Sequence, residues 1–81
     1  MKFSEMEFSK EKFNNLLECG DLSALLYLEM FIPKEFETEF DVVLKLNYIN
    51  NLVEQNEVNI PNFYDIYAEC RDNLFKKLNI L

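Results

Sequence analysis

Glycine and proline are scarce in this chain, which has one Gly and two Pro among 81 residues. Both residues interrupt helices and are common in the turns of β-folds, so their scarcity argues against an all-β or a disordered chain. Gly20, Pro33 and Pro61 divide the sequence into helical segments. We therefore expect an all-α fold, a compact bundle of about four short helices, in a single helical domain over residues 1–81.

The first two helices are predicted on either side of Gly20. Ser9 is a good N-cap, and Phe8 and Phe13 have the spacing that staples the start of a helix. Gly20 is expected to close this helix in a left-handed conformation. Residues 1–8 form either a short helix or an N-terminal arm.

Asp21 is expected to cap a second helix, which would run to Pro33 because the residue before a proline is pushed out of helical geometry. Few polar side chains interrupt this segment, and a helix that is apolar nearly all round is expected to be central. Its large apolar residues are Leu22, Leu25, Leu26, Tyr27, Leu28, Met30, Phe31 and Ile32.

Thr38 and Asp41 resemble a capping box for a third helix, which would end near Asn56. An apolar stripe predicts its buried side, and the opposite side is polar. The stripe is Val42, Leu46, Ile49 and Val53, widened by Phe40, Leu44, Tyr48 and Leu52; the polar side is Asp41, Lys45, Asn47, Asn51 and Glu54. An α+β alternative pairs residues 1–8 with residues 39–46 as a hairpin.

The fourth helix is introduced by Pro61, which suits a first helical turn, and by Asn62 and Asp65 as a capping pair. Lys76 and Lys77 fall in its last turns, where positive charge suits the exposed carbonyls. Its expected inner face is Phe63, Ile66, Tyr67, Cys70, Leu74 and Leu78.

Catalytic side chains are few. The chain has no histidine, so the commonest general base and metal ligand is missing. With one glycine there is no phosphate-binding loop, and Cys19 and Cys70 have neither metal nor redox spacing, so we expect them to be small buried apolar residues. We expect no enzyme activity, no catalytic or metal-binding residues and no cofactor.

The expected location is the cytoplasm, without membrane association. The first five residues lack the apolar core of a signal peptide. The apolar run of residues 22–32 is too short to span a bilayer.

Fifteen acidic and eight basic residues give a formal net charge of −7. This charge disfavours direct nucleic-acid binding and favours a basic protein partner through long-range steering. The alternative is that the acidity only keeps a small apolar protein in solution.

The densest acidic segment, which we call the first acidic cluster, is Glu35, Glu37, Glu39 and Asp41. It places four carboxylates within seven residues, around Phe36 and Phe40. Carboxylates beside aromatic anchors suit a partner surface rich in Lys and Arg. Alternatively, the rings fill the core and the acids only favour the helix dipole.

A second set, the α4 acidic row, is Asp65, Glu69 and Asp72, spaced to share one face of the fourth helix beside Tyr64. Like charges at this spacing cost a helix a little stability, so the row is expected on an exposed face. It is a secondary partner-binding candidate, and Arg71 and Lys76 are close enough to neutralise it.

From Thr38 onward the chain resembles small helical immunity proteins, in particular those paired with Maf and contact-dependent polymorphic toxins. The resemblance covers about the C-terminal half. It lies in Glu39-Phe40-Asp41, Leu44, Leu46, the run Tyr48-Ile49-Asn50-Asn51-Leu52-Val53-Glu54-Gln55-Asn56, Ile60-Pro61, Tyr64, Ile66 and Leu78. The very apolar second helix departs from the family pattern. Its apolar surface suggests self-association as an alternative to binding a toxin.

The resemblance implies a cytoplasmic neutraliser that binds a toxin domain, commonly a nuclease. Two other functions stay open: a phage-encoded anti-defence protein that imitates nucleic acid, and a module that dimerises through its second helix or through Tyr27, Phe31 and Ile32. The expected oligomeric state is a monomer or a homodimer. A toxin gene immediately upstream would favour immunity, and a phage early operon the imitator.

Overall fold

The computed structural model of the protein describes residues 8–80. That part of the chain contains no β-strand; its elements are α1 (Lys10–Cys19), α2 (Asp21–Glu29), a 3₁₀ helix (Lys34–Phe36), α3 (Glu37–Glu54) and α4 (Phe63–Lys77). The predicted all-α fold with about four helices is confirmed. The hairpin alternative is wrong for residues 39–46, which are helical, whereas residues 1–7 lie outside the described part.

The chain divides into two compact units, Met1–Phe40 and Asp41–Leu81. In the first unit, α1 and α2 pack against each other. Helix α3 begins in the first unit and continues into the second, which also contains α4. The single domain over residues 1–81 stays a prediction.

The predicted start of α1 is confirmed. The Ser9 hydroxyl accepts a hydrogen bond from the Lys12 amide at 3.1 Å, and the Phe8 and Phe13 ring centroids are 5.6 Å apart. Phe8 also stacks on Tyr27 at 5.4 Å, and the Tyr27 hydroxyl accepts from the Ser9 amide at 3.0 Å. These contacts hold the chain before α1 against α2; of the predicted arm, residues 1–7 lie outside the described part.

Gly20 separates α1 from α2, but the predicted left-handed conformation is wrong. Its φ of 159° is positive, but a ψ of 142° places it outside the left-handed helical region, and its amide donates to the Leu16 carbonyl at 2.9 Å. Helix α2 ends at Glu29, earlier than predicted. The amides of Met30 and Phe31 bond to carbonyls three residues back, a tightening that ends the helix before Pro33 acts.

Helix α2 is not buried all round, so its predicted central position is wrong. Ala24, Leu25 and Leu28 are buried on one face, whereas Leu22 and Leu26 are exposed on the other. A uniformly apolar sequence carries no periodicity, so it could not indicate which face would be covered.

Helix α3 is rotated from the predicted phase. Its buried residues are Phe40, Val43, Asn47 and Asn50, so Asn47, assigned to the polar side, is inside, whereas Val42 and Tyr48 are exposed. Leu44, Leu46, Ile49, Leu52 and Val53 are half-buried. Thr38 lies inside the helix, which begins at Glu37, so it is not the cap.

Helix α4 buries Phe63, Tyr67, Leu74 and Leu78 as predicted. Phe75 is buried as well, whereas Ile66 is exposed. Asn62 precedes the helix with a φ of 62° and makes no capping bond through its side chain, so the predicted capping pair is wrong. A left-handed Asn62 turns the chain into α4 through its backbone alone.

Both cysteines were expected to be buried, and this is wrong. Cys19 is exposed and Cys70 is intermediate, and both are free thiols. Cys19 ends α1 six residues after the buried Phe13, which places it off the helix's inner face.

Candidate functional site

The first acidic cluster lies around the start of α3. Glu35 is in the 3₁₀ helix, Glu37 and Glu39 are in the first turn of α3, and Asp41 begins the second unit. Glu35, Glu37 and Asp41 are exposed and Glu39 is half-buried. Three of the four carboxylates are therefore available to a partner.

The two aromatic residues of this segment differ in burial. Phe40 is buried and is a core residue, so it cannot anchor a partner. Phe36 is half-buried, and its amide donates to the Pro33 carbonyl at 2.9 Å in the tight turn before α3. Phe36 is therefore a partly exposed aromatic residue between the exposed Glu35 and Glu37 in the chain.

The same carboxylates also have a local role. Glu37 and Glu39 lie where the unpaired amides of a helix start carry partial positive charge, and acidic side chains there are favourable. Glu37 is exposed as well, so its carboxylate can favour the helix start and still face a partner.

The α4 acidic row is weaker than its spacing suggested. Asp65 and Glu69 are exposed, but Asp72 accepts a hydrogen bond from Arg71 Nε at 3.0 Å. The Arg71 guanidinium also lies 5.4 Å from the centroid of the Tyr67 ring, which fixes its position. One of the three charges is thus paired within the chain.

Tyr64 is half exposed at the start of α4, and its ring meets Tyr67 edge-on with centroids 6.1 Å apart. Tyr67 is buried and its hydroxyl accepts from Asn47 Nδ2 at 3.1 Å. The buried Tyr67 ring thus packs against the exposed Tyr64 ring and supports it. Tyr64 offers an aromatic surface at the end of α4 that carries Asp65.

One surface was not predicted as a site. Leu22, Leu26 and Met30, here called the α2 apolar row, are 45%, 51% and 70% exposed. They are spaced four residues apart, so they share one face of α2. The four-residue spacing could have indicated this shared face. The other apolar residues of α2 prevented the face from being singled out from the sequence.

Metal binding finds no support within residues 8–80, where no group of three or more Cys, Asp or Glu side chains is placed to hold an ion. Among the helices that the structure describes, none combines the length and the hydropathy needed to cross a membrane.

No protein-family model, curated protein or solved structure matches the chain.

Proposed function

We propose that this protein is a binding protein that inhibits a basic protein partner through the first acidic cluster, without catalysis of its own. The observation that carries the proposal is the exposure of Glu35 and Glu37 beside the half-buried Phe36. Exposed carboxylates steer a cationic partner, and an aromatic edge adds buried area once the two surfaces meet.

The partner class that fits best is a toxin domain with a cationic substrate groove, such as a nuclease, which would make the protein a cytoplasmic immunity protein. Three features support this class: the net charge of −7, the absence of histidine and the resemblance of the C-terminal half to immunity proteins. The exposed Asp65 and Glu69, with Tyr64, are a secondary contact region, because Asp72 is already paired with Arg71.

Charge reversal tests the proposal. The partner is captured from the source cell and purified, and its association is timed over a range of NaCl concentrations. We expect Glu35→Lys to slow association about tenfold at low salt and to flatten the salt dependence, because steering depends on local charge. We also expect the unaltered protein to inhibit the partner at equimolar ratio.

Glu57→Lys is the matched control, because Glu57 is also exposed and lies outside the α-helices. It makes the same change in net charge at a different place, so it should slow association much less. Equal effects of the two variants, or turnover of a nucleic-acid substrate by the purified protein alone, would refute the proposal.

A second candidate is a module that acts through the α2 apolar row, as the dimerising alternative requires. The exposure of Leu22, Leu26 and Met30 along one face favours it, because exposed apolar patches are common at protein–protein interfaces. Sedimentation of the purified protein distinguishes the candidates, since a dimerising module would show a concentration-dependent mass.

A further inference from the structure

We draw no further inference here: the strongest candidate, the exposed apolar face of α2 at Leu22, Leu26 and Met30, carries none because nothing in the structure shows what covers it.

Discussion

Asn47 and Asn50 occupy positions in α3 where apolar residues are usual. Asn47 is buried and donates to the Tyr67 hydroxyl at 3.1 Å, which links α3 to α4. Asn50 donates to Glu54 Oε2 at 3.3 Å, while its Oδ1 is buried without a hydrogen-bond partner among the described residues. A buried amide is tolerated when it is hydrogen-bonded, so Asn47 is the better satisfied of the two.

A double-mutant cycle measures the link between Asn47 and Tyr67. We expect Asn47→Leu and Tyr67→Phe each to lower the free energy of unfolding, and the double variant to lose less than the sum. The expected coupling is about 1 kcal/mol, the size of a net hydrogen bond. Urea titrations of the four proteins provide the values, and strict additivity would mean that the bond contributes nothing.

At the level of the helices, asparagines in the left-handed conformation end α3 and α4, a position where glycine is usual. Asn56 and Asn79 follow α3 and α4 with φ of 63° and 62°. After each helix an amide bonds five residues back, from Glu57 to the Leu52 carbonyl at 2.9 Å and from Ile80 to Phe75 at 3.1 Å. This is the Schellman pattern, in which asparagine is the usual substitute for glycine. It explains how α3 and α4 are closed without glycine.

The phase of α3 is tested by two adjacent valines. Val43 is 2% exposed and Val42 is 46% exposed. We expect Val43→Ala to lower the free energy of unfolding by about 2 kcal/mol through lost burial and the cavity left behind. Val42→Ala should change it by less than about 0.5 kcal/mol. Denaturant unfolding compares the two variants, and a larger loss at Val42 would restore the phase predicted from the sequence.

At the scale of the whole molecule, the dominant property is a net charge of −7 on 81 residues. The charge is unevenly divided along the chain. Residues 1–40 contain nine acidic and four basic residues, a net of −5, and residues 41–81 contain six and four, a net of −2. The two values sum to −7, and most of the surplus belongs to residues 1–40, which include every member of the first acidic cluster except Asp41.

Self-repulsion of this charge should make stability depend on salt. Raising NaCl from 0.01 M to 0.15 M shortens the screening length from about 30 Å to about 8 Å. We expect the free energy of unfolding to rise by on the order of 1 kcal/mol, because repulsion between acids opposes compaction. The rise should be smaller in a Glu35→Gln, Glu57→Gln variant. A fall in stability with salt would mean that attractive pairs such as Arg71 with Asp72 outweigh the repulsion.

Four features were predictable from the sequence: the helical class, the cap at Ser9, the staple of Phe8 and Phe13, and the buried side of α4 at Phe63, Tyr67 and Leu74. These features depend on local spacing and on strongly periodic apolar residues. The sequence also indicated which carboxylates to consider, because a charge cluster within one short segment is visible without a fold.

The buried faces of α2 and α3 could not be predicted from the sequence, because they depend on contacts between elements. Helix α2 is apolar on every side, so its own residues cannot show that Leu22 and Leu26 stay exposed. In α3 the hydroxyl of Tyr67 provides Asn47 with a partner, and a contact between residues twenty positions apart is invisible to a helical period. Burial of a side chain depends on what packs against it, and for these faces the partner groups lie outside the helix itself.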